Sequence, residues 1–262
     1  MNIMEHIVLH NNNIELQCKH LESFNTIKPI LDDMKADRGK YKEYLGWYDL
    51  SSPIFSNPDI LFVGINHGPG RYKEKGERAI FEEEFSTPWR SELEFTKHGV
   101  TREGNWWDNT SKHKNLFPKT ICELLVRVYR PFYPTISREK MTSIFNERVM
   151  ATNLYPMATE DKAKLDKLIR EYTSVHQDTD IKGLCNSHFF NLIELVSPKI
   201  IIVLGKTMVG ELVPRLEEKG LCHFIIDRTW GWHGKHNISR VSETIRNKLS
   251  DNCQQEIRDR ND

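Results

Sequence analysis

The sequence predicts an α/β fold: a three-layer α/β/α sandwich with a central, mostly parallel sheet of four strands. Four short apolar runs rich in β-branched residues predict the strands, and they lie at residues 60–65, 149–155, 199–204 and 223–226. Three of these runs are almost continuously apolar, which is typical of strands covered on both faces in a parallel sheet. Helical patterns separate the runs, and strands that alternate with helices favour this architecture.

The predicted helices carry apolar residues at helical spacing. They lie at residues 116–128, 187–196, 207–219 and 239–249. Gly220 follows the third of them, at a position where a glycine in the left-handed conformation commonly ends a helix. Ligands of such sheets bind outside the carboxyl ends of the strands, so we expect the functional residues just after the strands.

The composition is that of a folded protein. Hydrophobic residues make up 38% of the 262 residues, which is enough for a buried core. We expect a single domain over residues 1–249, with an insertion or lid at residues 71–113 and a polar tail at residues 250–262. Lys plus Arg and Asp plus Glu both number 37. This balance neither indicates nor excludes nucleic acid, because a local basic face is sufficient for binding.

The five cysteines form no CxxC pair, which speaks against a zinc ribbon, an iron–sulfur cluster and a disulfide scaffold. We therefore expect reduced thiols in a cytoplasmic protein that has no metal and no cofactor. No apolar run approaches the length needed to span a membrane, and the first residues lack the layout of a cleavable signal. A monomer without a membrane partner is the expected state.

Four sequence motifs occur in order along the chain. Residues 64–70 (GINHGPG) come directly after the first apolar run, and residues 115–121 (NLFPKTI), 149–159 (VMATNLYPMAT) and 233–240 (HGKHNISR) come later. These motifs resemble those of the uracil-DNA glycosylase superfamily, and GINHGPG is most similar to the GINPG form of its mismatch-specific branch. The resemblance extends over residues 60–249 and keeps the order of the family's motifs.

The resemblance implies a DNA glycosylase. Such an enzyme hydrolyses the N-glycosidic bond of a flipped-out damaged or modified pyrimidine, either uracil or a 5-substituted base, and leaves an abasic site in DNA. Asn66 matches a catalytic position; an amide cannot act as a general base at neutral pH, but its carbonyl oxygen can orient the attacking water. His233, or Gly234 in an alternative register, matches the residue that stabilises the departing base. A turn-forming asparagine and a surface histidine are the alternative interpretations.

Seven residues are expected to line the base pocket. Asn153 matches the residue that reads the Watson–Crick edge, because an amide presents a donor and an acceptor side by side. The alternative is a buried asparagine that satisfies backbone groups at the end of a strand. Trp107 or Phe117 would stack on the base, with packing as the alternative explanation for the tryptophan. The other four lie in the first motif: Gly64, Ile65, His67 and Gly68.

Contacts to DNA are expected from the loop before the last predicted helix. Ile238 matches the apolar wedge that fills the hole left by the flipped nucleotide. Ser239 and Arg240 would bind phosphates at the N-terminus of a helix that begins near Ser239. The remaining members of this set precede them: Lys235, His236 and Asn237.

Gly68 stands where branches strict for uracil have a bulky tyrosine beside C5 of the pyrimidine. We therefore expect the pocket to accept 5-substituted pyrimidines, including hypermodified bases of phage genomes, and a role in phage defence. Two other interpretations stay open. One is a non-catalytic module that binds modified or single-stranded DNA, and the other is an α/β enzyme that processes free nucleosides or nucleotides.

Overall fold

We describe a computed structural model of the chain, which covers residues 15–47, 49–65, 107, 116–226 and 235–259. The side chains of residues 116–119, 138–139, 207, 209, 235–237 and 251–259 lie outside this description. Within the described residues, no helix is long and apolar enough to cross a membrane.

Four strands form one parallel sheet with the order β2-β1-β3-β4. Every residue of the first three strands is buried, including the polar residues Thr152 and Asn153 at the end of β2. β3 and β4 pair in parallel, with Ile201 opposite His223. The α/β class and the four predicted strands are confirmed, although three of the strands are one or two residues shorter than predicted. Their bounds are β1 Ile60–Gly64, β2 Val149–Asn153, β3 Ile200–Leu204 and β4 His223–Ile226.

Eight α-helices lie in the described segments, and a 3₁₀ turn at Lys206–Met208 precedes the seventh of them. Asp161 and Asp180 cap the N-termini of the fifth and sixth helices. The carboxylate of each accepts a hydrogen bond at 2.9 Å from the backbone N–H three residues later. Gly220 follows the seventh helix with φ +65°, which confirms the predicted left-handed end. The helices are α1 at residues 15–24, α2 Lys28–Ala36, α3 Leu116–Tyr129, α4 Arg138–Arg148, α5 Lys162–Val175, α6 Ile181–Val196, α7 Val209–Glu218 and α8 Lys235–Asp259.

The structure corrects the predicted helices in three ways. α1, α2, α4 and α5 were not predicted at all. α6 begins at Ile181, six residues before the predicted start, because the cap at Asp180 precedes its apolar stripe. α8 begins at Lys235 and continues through Asp259, so it occupies most of the segment that was predicted as a polar tail. That segment contains no proline or glycine to end the helix.

The chain divides into two compact units, neither of which is one continuous stretch of sequence. The first lies within the segments 1–56, 63–101 and 152–197, and the second within 57–62, 102–151 and 198–262. The prediction of a single domain over residues 1–249 stays a prediction.

Aromatic contacts organise the described part of the first unit. The rings of Phe24 and Trp47 lie 4.9 Å apart, and those of Tyr41 and Tyr172 lie 5.5 Å apart. The Tyr172 hydroxyl also donates a hydrogen bond to Asp33 at 2.8 Å, which joins α5 to α2. Burial, followed by the nearby Asp33 carboxylate, raises the pKa of Tyr172 above its ordinary value, so this hydroxyl stays protonated at neutral pH.

The second unit has an apolar core formed by strands and helices together. Side chains from β1, β2 and β3 pack with those of α3, α4 and α8, and nearly all are fully buried. Burial of this kind supplies the main stabilisation, at about 25 cal/mol for each Å² of apolar surface removed from water. The largest members of the core are Phe62, Trp107, Tyr129 and Phe145.

A buried carboxylate ties together the beginnings of the strands in the second unit. Asp59, which precedes β1, is 7% exposed, and its Oδ2 lies 3.0 Å from Nη1 of Arg148 and accepts a hydrogen bond from the Tyr129 hydroxyl at 3.1 Å. Its Oδ1 lies 3.3 Å from Nζ of Lys199. The backbone N–H of Asp59 also donates to the carbonyl of Arg148 at 2.8 Å. Three segments thus meet at one carboxylate.

Replacing Asp59 by alanine is expected to lower the free energy of unfolding by about 2–3 kcal/mol, because Lys199 and Arg148 lose their counter-charge and Tyr129 loses its acceptor. Urea denaturation measures this value. The matched control is Glu123→Ala, which removes an exposed ion pair with Arg127 from the same unit and should cost less than about 0.5 kcal/mol. Equal effects of the two changes would contradict the structural role of Asp59.

Candidate functional site

The carboxyl ends of β1 and β2 stay paired beyond the strands themselves. The N–H of Leu154 donates to the carbonyl of Gly64 at 2.8 Å, and the N–H of Tyr155 donates to the carbonyl of Ile65 at 2.9 Å. The beginning of the first motif therefore lies beside the residues that follow Asn153. Asn66, the next residue of the motif, lies outside the described residues.

Asn153 is the last residue of β2 and is 3% exposed. Its backbone N–H donates to the carbonyl of Asp49 at 3.3 Å, and the neighbouring Thr152 hydroxyl donates to the same oxygen at 3.2 Å. Among the described residues, the side-chain Nδ2 of Asn153 has no hydrogen-bond partner. An unsatisfied buried amide costs about 1–3 kcal/mol, which a ligand with a carbonyl group would recover.

The segment around Asp49 was not part of the predicted site. Leu50 forms an antiparallel bridge with Thr152, so residues 49–51 run along the end of β2. Ser51, one residue further, is 4% exposed, and its hydroxyl has no partner among the described residues. Two polar side chains without described partners, those of Ser51 and Asn153, thus belong to adjacent backbone segments.

Trp107 occupies a core position instead of a ligand-binding one. Its ring is fully buried in the core of the second unit, and its Nε1 donates a hydrogen bond to Oδ1 of Asn146 at 2.8 Å. This placement agrees with the packing interpretation of the sequence and corrects the expectation that Trp107 stacks on a base.

The predicted wedge is also placed in the core. Ile238 is 9% exposed and packs in the same apolar cluster as Trp107. α8 begins at Lys235, so Ser239 and Arg240 lie in its second turn and not at its N-terminus. The Ser239 hydroxyl accepts a hydrogen bond from Nη1 of Arg127 at 2.8 Å, while Arg240 is exposed. The wedge role of Ile238 and the helix-terminal phosphate site are therefore corrected.

The remaining predicted site residues divide into three groups. Gly64 ends β1, and Ile65 after it is 7% exposed. For Phe117 in α3, and for Lys235, His236 and Asn237 in α8, only the helical backbone belongs to the description. Four predicted residues lie outside the described residues: Asn66, His67, Gly68 and His233.

The structure also brings together three buried polar side chains of the first unit that the sequence did not connect. Oδ2 of Asp49 lies 2.6 Å from Nε2 of His20 in α1 and 3.0 Å from Nε2 of His188 in α6. His20 and Asp49 are each 1% exposed, and His188 is 3% exposed. Nδ1 of His188 lies 3.0 Å from the Ser23 hydroxyl, which also accepts a hydrogen bond from Nδ2 of Asn191 at 3.0 Å.

The electrostatics of this cluster follow from its burial. Burial by itself raises the pKa of Asp49, but the adjacent imidazoles of His188 and His20 outweigh it and hold the pKa well below its usual range. Asp49 is therefore an anion in the interior. Burial, and secondarily the charge of Asp49, raises the pKa of the Cys185 thiol, so Cys185 stays protonated and is a poor nucleophile.

No protein-family model and no curated protein matches this chain.

Replacing Ile238 by alanine is expected to lower the free energy of unfolding by about 2–4 kcal/mol, because it leaves a cavity in the core of the second unit. Urea denaturation measures the change. Val175→Ala, at a position that is 46% exposed, is the control and should change it by less than about 0.5 kcal/mol. If Ile238→Ala keeps full stability, the residue is free to act as a wedge.

Proposed function

We propose that the chain is a DNA glycosylase that removes a modified pyrimidine. The observation that supports this proposal best is the pairing of the ends of β1 and β2. It brings the start of the GINHGPG motif beside Asn153, whose buried amide nitrogen has no described partner. The family that the motifs resemble uses residues at these positions to hydrolyse the glycosidic bond and to read the base.

In the proposed reaction, Asn153 reads the extruded base. Its Nδ2 donates to an exocyclic carbonyl oxygen, and its Oδ1 accepts from the adjacent ring N–H. A buried amide distinguishes bases well, because a base without the complementary groups leaves polar atoms unpaired.

Bond cleavage in this proposal depends on charge stabilisation. Asn66 orients the attacking water through its carbonyl oxygen but cannot deprotonate it. The bond therefore breaks largely before water attacks, and a donor from His233 stabilises the negative charge on the departing base. Gly68 adds no side chain beside C5 of the pyrimidine, so the proposed substrates carry a substituent there.

The first experiment incubates the full chain separately with uracil-containing DNA and with hypermodified phage DNA. Mass spectrometry of the soluble fraction should identify a free 5-substituted pyrimidine, and the DNA should gain alkali-sensitive abasic sites. Release of uracil alone would contradict the C5 part of the proposal. DNA binding without any abasic site would indicate the non-catalytic module instead.

Asn153→Ala is expected to slow base release by about 10- to 100-fold, since it removes the paired donor and acceptor. Single-turnover rates measure this loss. Asn25→Ala, which changes an exposed asparagine of the same unit, should leave the rate unchanged. A normal rate in Asn153→Ala would contradict the assignment of this residue.

Asn66→Ala tests the first motif separately. It should abolish base release while largely preserving the affinity for DNA, which a filter-binding or fluorescence assay measures. Loss of both activities would indicate that residue 66 is needed only for the conformation of the loop.

The burial of Ile238 favours a second candidate, an α/β enzyme that acts on free nucleosides or nucleotides. Such an enzyme needs no wedge to replace a base within a duplex. Release of the base from a free nucleoside as fast as from a polynucleotide would support this candidate over the glycosylase.

A further inference from the structure

We propose that His20, Asp49 and His188 bind one divalent transition-metal ion of the zinc class. Nothing in this inference depends on the proposed glycosylase activity. It differs from the expectation of a metal-free protein, which considered only the spacing of the cysteines.

The donor set favours this class of ion. Two imidazole nitrogens and a carboxylate are ligands of zinc and its neighbours, whereas magnesium and calcium prefer oxygen alone. One ligand atom from each of the three residues lies within 4.8 Å of the others. Bonds of about 2.0–2.2 Å to one ion would set such atoms about 3.3 Å apart in a tetrahedral site. The two observed nitrogen–oxygen distances, 2.6 and 3.0 Å, are shorter, so each of these nitrogens needs to move away from the carboxylate oxygen by less than an ångström.

The hydrogen bonds of the cluster leave an atom that an ion would use. Oδ1 of Asp49 is buried and has no partner among the described residues, so it is available to an ion. A carboxylate that binds through both oxygens gives the three side chains four donor atoms in total. The otherwise unpaired Oδ1 then has a role, and the charge of the ion offsets that of the buried carboxylate.

The surroundings of His188 match the second layer of a metal site. A histidine that binds a metal through one ring nitrogen commonly donates the other N–H to an oxygen, which fixes the ring. Nδ1 of His188 faces the Ser23 hydroxyl in this way, and Asn191 in turn holds that hydroxyl. Nε2 is thereby directed at Asp49.

The burial of the cluster indicates a structural ion. All three residues are at most 3% exposed, and the ring of Phe24 lies 5.6 Å from that of His188. Structural zinc sites are closed in this manner, whereas catalytic ones keep an open position. The ion would join α1 and α6 to the segment whose carbonyl, at Asp49, accepts hydrogen bonds from Thr152 and Asn153.

The metal content of the purified full-length chain tests the proposal. After dialysis against metal-free buffer, mass spectrometry of the elements should find about one zinc or similar ion per chain. His20→Gln and His188→Gln should each reduce this content by about tenfold or more. The glutamine amide can still donate to Asp49, so these variants remove the metal ligand while keeping a hydrogen bond. His176→Gln is the control, since His176 stacks on Tyr172 in the same unit and should leave the content unchanged.

A refolding experiment keeps the test decisive if the glutamine variants do not fold. The wild-type chain is unfolded in denaturant with a chelator, dialysed, and refolded with or without zinc. The thermal midpoint should be higher with zinc by about 5 °C or more. A wild-type chain that carries no metal, or that refolds to the same midpoint without it, would overturn the proposal, as would full metal content in both glutamine variants.

Discussion

The candidate site of the first unit depends on Asp49. Its backbone carbonyl accepts hydrogen bonds from the end of β2, while its carboxylate lies between the imidazoles of His20 and His188. The same residue therefore connects a buried charge to the position of Asn153. A buried carboxylate is stable only when its charge is compensated, so the packing of α1 and α6 and the placement of Asn153 depend on one another.

The strands could be predicted from the sequence because burial on both faces favours nearly continuous apolar residues, as in β1 and β3. Helices with weaker apolar patterns could not be predicted from the sequence. α4 is polar and has almost no apolar stripe, so its position depends on its cap at Ser137 and on Met141 and Phe145, which pack in the core. α5 does carry an apolar stripe at Leu165, Leu168 and Tyr172, and this spacing is sufficient to predict a helix.

Only part of the candidate site could be predicted from the sequence. The apolar run at residues 149–155 places Asn153 near a strand end, although the strand stops two residues before the run does. Ile238 was misinterpreted, although Val241, Ile245 and Leu249 continue its spacing along one face of α8 and indicate a core position. The cluster around Asp49 could not be predicted from spacing, since its members come from three segments that only the tertiary structure brings together.

The wide sequence separation within that cluster also affects how the chain is made. Asp49 leaves the ribosome 139 residues before His188. At about 5–20 residues per second, this interval lasts roughly 7–28 s. Until the end of this interval the nascent N-terminal segment lacks the surface that α6 provides, and Asp49 lacks its second imidazole. The first unit consequently completes its folding late in synthesis, and chaperones have that interval in which to bind the exposed segment.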